Sequence, residues 1–252
     1  FKINAGIVRG ICSSIAQYCP SARVLVISNP VNSTVPIAAE TLKAAGCFSA
    51  GNVMGVTTLD VVRAETFLAD YLNASKRGGL TRQFDKTRMQ KDVTVIGGHS
   101  GTTIVPVLLG SSLNAALGAE YGKFVHRVQF GGDEVVKAKE GAGSATLSMA
   151  LAGYRFAEQV LRSIHRESTD PLPAFVYLPG LENGSAAQKK LKDTVDYFAL
   201  PITLVDGRAA KVDSTVLDRL SAQEHQLVER AVLELSTSIQ KGTGFVVGGS
   251  KL

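Results

Sequence analysis

One histidine has sequence neighbours that suit chemistry better than packing. His99 lies in the segment VIGGHSGTTIVP (residues 95–106), after an apolar run and between glycines and small hydroxyl residues. Imidazole has an ordinary pKa of about 6.5, so it can accept and release a proton near neutrality. The glycines allow close backbone approach and leave the ring accessible. We therefore predict that His99 transfers a proton; the alternative is an ordinary loop histidine.

A carboxylate and a guanidinium follow another short apolar run. Asp60 and Arg63 are three residues apart at the predicted start of a helix, so both side chains project from one face. A carboxylate beside His99 would fix the tautomer of the imidazole and raise its proton affinity. The planar guanidinium suits bidentate binding of a carboxylate. The same spacing is also that of an ordinary surface ion pair.

An amide-containing turn is the third candidate. The segment Ser28-Asn29-Pro30-Val31-Asn32 follows a predicted strand, at the position where open α/β sheets bind ligands. The Asn29 amide could donate to a ligand oxygen, although Asn-Pro is also a common turn pair. Imidazole, carboxylate, guanidinium and amide together suit a small hydroxy acid. We predict no metal site and assign no role to His126, His165 or His225.

The elements that would position these groups alternate in the first part of the chain. Apolar spacing predicts the order helix, strand, helix, strand, helix. The predicted ranges are 4–19, 24–27, 34–45, 53–56 and 59–71. This alternation is typical of a parallel sheet covered by helices.

The second part of the chain has a mixed pattern. We predict strands at 93–96, 175–178 and 201–205 and a long helical region at 133–163, interrupted near Gly141 and Gly143. A capping box of Ser221 with Glu224 begins the last helix, whose apolar stripe is Val228, Val232, Leu235 and Ile239. We place a boundary near residues 73–92, between a parallel α/β part and an α+β part.

The net charge of +5 is concentrated in one segment. Between residues 74 and 92, six basic residues accompany two acidic ones. Without a recognisable nucleic-acid module, this favours a solvated loop over a site for an anionic partner, and we expect no nucleic-acid partner. The apolar runs are far too short to span a membrane, so no membrane association is predicted.

The last three residues match a targeting signal. Ser250-Lys251-Leu252 is the tripeptide that a receptor reads for import into peroxisomes. We therefore predict a location in the peroxisome or the related glycosome, with the import receptor as a partner.

Five longer motifs resemble a known enzyme family. They are INAGIV (3–8), NPVNSTVPIAAE (29–40), GVTTLDVVRAETF (55–67), VIGGHSGTTIVP (95–106) and GAGSATLSMA (141–150). All five closely resemble malate dehydrogenases of the mitochondrial and bacterial type, in consistent order. The resemblance implies NAD-dependent interconversion of malate and oxaloacetate by hydride transfer, and a homodimer.

The resemblance also implies a role for each matching residue. His99 matches the proton acceptor in malate oxidation, and Asp60 matches the carboxylate behind it. Arg63 matches the arginine that holds a substrate carboxylate, and Asn29 the amide that touches both substrate and cofactor. Asn4, Ile27, Ser28 and Asn29 match positions along the NAD path. Met149 matches the methionine beside the nicotinamide.

Some family features are missing from the sequence. Family members open with a glycine-rich strand-turn-helix that seats the pyrophosphate of NAD, and their mobile loop carries arginines that select dicarboxylates. We therefore interpret residues 1–73 as the second half of a Rossmann-type parallel sheet and residues 74–252 as the α+β catalytic domain of the lactate/malate dehydrogenase fold. Because the half that seats the pyrophosphate is missing from this sequence, we expect impaired cofactor binding and activity. Glu65 also stands where an asparagine is common.

Two alternative functions follow from these missing features. One is a related 2-hydroxy-acid dehydrogenase, such as a lactate dehydrogenase. The other is a fragment without catalytic competence.

Overall fold

A mixed β-sheet forms the framework of the part of the chain that this computed structural model describes, residues 1–74, 91–110, 112–140 and 146–248. The strands are β1 (Val24–Val26), β2 (Val53–Val56), β3 (Val93–Gly97), β4 (Ile104–Leu108), β5 (Leu172–Tyr177), β6 (Tyr197–Val205) and β7 (Arg208–Val212). The helices are α1 (Lys2–Tyr18), α2 (Val31–Ala44), α3 (Thr58–Ala74), α4 (Leu113–Leu117), α5 (Tyr121–Ala138), α6 (Leu147–Ile164), α7 (Gly184–Lys190) and α8 (Ala222–Val247).

The strand order within the described residues is β1-β2-β5-β6-β3-β4, with β7 paired to β6. β1 and β2 are parallel, as predicted, with Leu25 opposite Met54. The remaining pairs are antiparallel, including β2 with β5, where Gly55 lies opposite Phe175. The sheet is therefore continuous through both predicted parts of the chain, and the division at residue 73 stays a prediction.

The predicted helical region at 133–163 begins too late. α5 begins at Tyr121, and Gly131 and Gly132 lie in its interior. Glycine lowers helix propensity by about 1 kcal/mol relative to alanine, which weakened the helical pattern of the sequence. The glycines are used in packing, because Gly131 faces Phe67 of α3.

The second helix of that region, α6, has a well-defined start. α6 begins after Thr146, whose side-chain oxygen accepts a hydrogen bond from the Met149 N–H (3.3 Å). A threonine in this position caps a helix N-terminus. The predicted break near Gly141 and Gly143 itself lies outside the described residues.

Two strands were missed in the sequence. β4 contains Pro106, which cannot donate to a sheet, but β4 lies at the end of the strand order and pairs with β3 alone among the described strands. β7 reads RAAKV and has little β-propensity. Its signal was the Asp206-Gly207 pair, whose φ angles of +50° and +69° make a two-residue hairpin turn.

α8 packs closely on α2, which is almost entirely buried. A Cβ at Gly242 would lie 2.3 Å from the Ser33 carbonyl oxygen, so only glycine fits at this crossing. The Ser33 hydroxyl donates to the Ser238 carbonyl (2.8 Å). These contacts fix α2, and hence the turn before it, against the last helix.

The capping box of α8 is confirmed. The Ser221 side chain accepts from the Glu224 N–H, and Glu224 Oε2 accepts from the Ser221 N–H (2.7 Å). Glu224 Oε1 also accepts from the Leu108 N–H (2.8 Å), which ties the helix to β4. The predicted stripe is buried: Val228, Val232, Leu235 and Ile239.

Two predicted segments lie largely or wholly outside the described residues. They are the basic segment, of which residues 75–90 are not described, and the tail Ser250-Lys251-Leu252. None of the helices in the described ranges is long and apolar enough to cross a membrane.

Candidate active site

The carboxylate of the site lies at the junction of β2 and α3. The chain turns after Val56, and the Asp60 N–H donates to the Thr57 carbonyl (3.0 Å) in the first turn of the helix. The Thr57 hydroxyl donates to the Pro173 carbonyl (3.2 Å), which holds this turn against β5. The Asp60 side chain is completely buried.

The imidazole is carried by the loop after β3. Gly97 has a φ of +100°, and a Cβ there would lie 2.1 Å from the Thr103 carbonyl oxygen. The Gly98 N–H donates to that same carbonyl (2.7 Å). The glycines therefore let residues 98–103 close into a tight loop, and His99 lies on it.

His99 and Asp60 meet, as predicted. His99 Nδ1 lies 2.5 Å from Asp60 Oδ2, a charge-assisted hydrogen bond, and the His99 side chain is 10% exposed. Burial of the ring opposes protonation, but the charge of Asp60 and its hydrogen bond outweigh this effect. The pKa of His99 therefore lies above its ordinary value of 6.5, even though Arg63 acts in the opposite direction.

The third group of the cluster is Arg63, on the next turn of α3. Its Nη1 lies 3.5 Å from Asp60 Oδ1, and its side chain is 16% exposed. Gly132 of α5 lies alongside the guanidinium, where a Cβ would come within 3.5 Å of Nη1. One buried carboxylate thus faces both an imidazole and a guanidinium, which we call the His99 cluster: His99, Asp60 and Arg63.

This arrangement can move a proton beside an anion-binding group. Since Asp60 is bonded to Nδ1, the Nε2 nitrogen of His99 is the one left to exchange a proton with a substrate. Among the described residues, Arg63 contacts Asp60 through Nη1 at 3.5 Å, and its guanidinium carries further donors that suit a substrate carboxylate.

The predicted cofactor residues of β1 and α1 lie together at one strand end. The Asn4 Nδ2 donates to the Asn29 carbonyl (2.7 Å), and the Ser28 carbonyl accepts from the Thr34 hydroxyl (2.6 Å). Ile27 is 54% exposed, and the Asn29 side chain is also exposed. An apolar surface with amide groups beside it is thus accessible after β1.

Met149, the remaining predicted cofactor residue, lies on a different helix. It is half-buried in the first turn of α6, where its N–H donates to Thr146. No hydrogen bond or ion pair among the described residues joins it to the His99 cluster.

One residue of the site was not singled out from the sequence. The Asn32 side chain, on the first turn of α2, accepts from the His99 N–H (2.8 Å) and donates to the Ser100 hydroxyl (2.8 Å). Asn32 was visible only as part of the Ser28–Asn32 turn. Its contact with a loop 67 residues away depends on tertiary structure.

A second polar region lies on the other side of α3. Glu65 is 7% exposed, and burial raises its pKa to about 7, while Arg155 acts to lower it. It lines a cleft of about 520 Å³ together with Thr58 and Gln159. Within the described residues, Thr58 Oγ1 and Gln159 Oε1 are buried there without a hydrogen-bond partner.

The described residues contain no group of three potential metal ligands.

Two family models match the chain. One, described as lactate/malate dehydrogenase, NAD binding domain, matches residues 1–55. The other, described as lactate/malate dehydrogenase, alpha/beta C-terminal domain, matches residues 57–246. Asp60, Arg63 and His99 fall in the second match, and Asn4 and Asn29 in the first.

Relatives share high identity with this sequence. A peroxisomal malate dehydrogenase of Saccharomyces cerevisiae is 57% identical, over 100% of this chain and 74% of its own length. A mitochondrial malate dehydrogenase of the same yeast is 41% identical, over 98% of this chain and 67% of its own. A glyoxysomal malate dehydrogenase of Oryza sativa subsp. japonica is 43% identical, over 98% and 62%.

Solved structures share the architecture. The apo malate dehydrogenase of Picrophilus torridus superposes with a TM-score of 0.74 at 21% identity, over 97% of this chain and 69% of its own. A Cryptosporidium parvum lactate dehydrogenase complexed with lactic acid and nicotinamide adenine dinucleotide gives 0.68 at 18% identity, over 97% and 69%. At these identities the likeness shows a common fold.

Proposed function

The chain belongs to the lactate/malate dehydrogenase family, and we propose that it interconverts malate and oxaloacetate by hydride transfer with NAD. The observation that carries this proposal is the His99 cluster, in which a buried carboxylate orients an imidazole beside a guanidinium. The high identity to malate dehydrogenases supports the choice of substrate.

Each residue of the His99 cluster would have a separate role toward the substrate. Arg63 would bind one substrate carboxylate through its guanidinium N–H groups. His99 would take the hydroxyl proton of malate at Nε2, while Asp60 stabilises the resulting imidazolium. In the reverse direction, the imidazolium would return that proton to the carbonyl oxygen of oxaloacetate. Both steps need a group that can take and return the proton, and the charge of Asp60 raises the pKa of His99 above its ordinary value.

The residues after β1 suit NAD. The exposed Ile27 side chain offers an apolar surface to a flat ring, and the amides of Asn4 and Asn29 offer hydrogen-bonding groups beside it. Ser28 would line the same path, and Met149 would lie beside the nicotinamide. When bound, NAD accepts the hydride that leaves the malate carbon.

The function is tested by following NADH consumption with oxaloacetate and, separately, with pyruvate. We expect turnover with oxaloacetate to exceed turnover with pyruvate by orders of magnitude. His99→Ala should abolish turnover while leaving NADH affinity nearly unchanged. His225→Ala, which removes an exposed histidine on α8, serves as the matched control and should behave as the parent.

Each alternative function predicts a different result. Preferred turnover of pyruvate would identify a lactate dehydrogenase and contradict the proposal. A fragment without catalytic competence would consume NADH with neither substrate.

We propose a homodimer as the assembly. The resemblance to the family supports it, and so do the apolar side chains exposed on α1 and α6. They include Ile3, Ile7, Ile11, Leu147, Tyr154 and Leu161. Sedimentation should give twice the mass of the chain, and a monomer at micromolar concentration would contradict the proposal.

The tail Ser250-Lys251-Leu252 and the peroxisomal and glyoxysomal relatives support a location in the peroxisome or a related organelle such as the glycosome. The import receptor would read the tripeptide. A fluorescent protein carrying the last ten residues should enter peroxisomes, and the same fusion without Lys251 and Leu252 should remain outside.

A further inference from the structure

A buried amide from a different element holds the loop that carries His99. Asn32 lies on α2 and is 1% exposed. Its Oδ1 accepts from the His99 N–H (2.8 Å), and its Nδ2 donates to the Ser100 hydroxyl (2.8 Å) and to Thr103 Oγ1 (3.1 Å). One side chain thus contacts the start, the middle and the end of the loop.

The chemistry of these contacts favours asparagine. The Thr103 hydroxyl donates its own proton to the Ser100 carbonyl (2.7 Å) and accepts from the Ser100 N–H (3.1 Å). Thr103 Oγ1 therefore has no proton left to donate to residue 32 and can only accept from it, while the His99 N–H needs an acceptor. An amide supplies both in one plane, whereas a carboxylate has no donor to offer.

The packing leaves the loop no space to move toward the amide. A Cβ at Gly98 would lie 2.7 Å from Asn32 Oδ1 and 2.8 Å from Leu235 Cδ2. Gly98 lets the loop backbone press directly on the Asn32 side chain, with α8 on the other side. The distance between α2 and the His99 backbone is consequently fixed.

α2 also begins directly after the turn that carries Asn29. The Ser33 and Thr34 N–H groups both donate to the Pro30 carbonyl (2.9 and 3.0 Å), so the turn and the first helical residues form one rigid unit. Asn32 thereby couples the position of the His99 imidazole to that of Asn29, whose amide is proposed to bind the substrate.

We propose that Asn32 is a positioning residue that holds the His99 loop in register with Asp60 and Asn29. This proposal rests on the proposed function, because it concerns the geometry of proton transfer at the same site. Misplacing a catalytic group by about 1 Å can cost about 100-fold in rate.

The test is the Asn32→Ala variant, measured as kcat, KM and pH profile for oxaloacetate reduction. We expect kcat to fall on the order of 10- to 100-fold, with NADH affinity within about 2-fold of the parent. Because a loosened loop weakens the bond from His99 to Asp60, the pH at which reduction declines should shift downward.

Thr41→Val is the matched control. Thr41 is a buried polar residue of the same helix, and its hydroxyl donates to the Ile37 carbonyl (2.7 Å), far along the helix from the loop. It should lower thermal stability without changing kcat or the pH profile. If Asn32→Ala does the same, Asn32 is structural and the proposal is wrong.

Asn32→Asp keeps the side-chain shape and provides a second readout where the alanine variant does not fold. It retains the acceptor for the His99 N–H and loses the donors to Ser100 and Thr103. We expect a lower kcat than in the parent, and parental kinetics would overturn the proposal. Failure of the proposed function would look different, because the parent itself would not reduce oxaloacetate.

Discussion

The bond between His99 and Asp60 determines the pH range in which this site can donate a proton. The charge of Asp60 and its hydrogen bond raise the pKa of the imidazole despite burial. The protonated form therefore persists at pH values above the ordinary pKa of histidine. Oxaloacetate reduction needs this protonated form and should decline as pH rises through the raised pKa. Malate oxidation needs the neutral form and should increase over the same range.

Asp60→Asn tests this dependence. The amide is neutral, so the pKa of His99 should fall and the decline of oxaloacetate reduction should move to lower pH. We expect kcat to fall by about 100-fold or more, because the tautomer and the imidazolium lose their support. Stopped-flow rates across pH measure both effects, and an unchanged pH profile would show that Asp60 does not control His99.

Glu65 affects stability in a different pH range. Its pKa is raised from 4.5 to about 7 by burial, so the unfolded chain ionises before the native protein does. The native protein therefore binds more protons between these values and loses stability as pH rises through them.

Glu65→Gln should abolish that loss. We expect the variant to be more stable than the parent by about 1–3 kcal/mol at pH 8, with a smaller difference at pH 5. Urea unfolding at both pH values measures this. Glu134→Gln, at an exposed position of α5, should show neither effect. Equal stability of parent and Glu65→Gln at pH 8 would mean that the carboxyl is solvated.

At the scale of elements, α8 depends on a single carboxylate at its start. Glu224 is buried and accepts hydrogen bonds from both the Ser221 and Leu108 N–H groups, so it joins the helix cap to an edge strand. Removing it leaves two N–H groups without their acceptor, one of them at the end of β4.

Glu224→Ala should therefore lower the free energy of unfolding by about 2–4 kcal/mol. Glu229→Ala is the comparison on the same helix, because Glu229 is exposed and its pair with Lys192 (2.9 Å) lies at the surface. It should change stability little, since exposed ion pairs contribute little. Similar losses for both variants, measured by urea unfolding, would contradict this role of Glu224.

The elements also show how far the sequence could predict the structure. The helices and strands around Asp60 and His99 were predictable, because short apolar runs, helix caps and glycines are local signals. The start of α5 and strand β4 were not, because glycines and a proline oppose their local propensity and tertiary packing decides. The role of Asn32 was not predictable either, because its hydrogen-bond partners are distant in the sequence and only the tertiary structure brings them together.

At the scale of the whole molecule, one hydrophobic core serves both predicted parts. Buried residues of both parts, among them Ala5 of α1, Val53 of β2, Phe198 of β6 and Val246 of α8, belong to the same cluster. A smaller cluster lies around α3, α4 and α5 and includes the fully buried Phe124. Neither predicted part would keep its main core if separated from the other.

Calorimetry should consequently show a single cooperative unfolding transition for the protein. Residues 1–73 expressed alone should not fold, since β2 would lose its pairing with β5. Two resolved transitions, or a folded 1–73 fragment, would instead support two independent domains divided at residue 73.

The crossing of α2 and α8 at Gly242 has a consequence for mutational tolerance. Any side chain at that position would push on the Ser33 carbonyl, one residue beyond the amide that holds the loop of the imidazole. Substitutions there should therefore inactivate the enzyme more strongly than many changes nearer the substrate. In a deep mutational scan, residue 242 should stand out as an intolerant position far along the chain from every predicted catalytic residue.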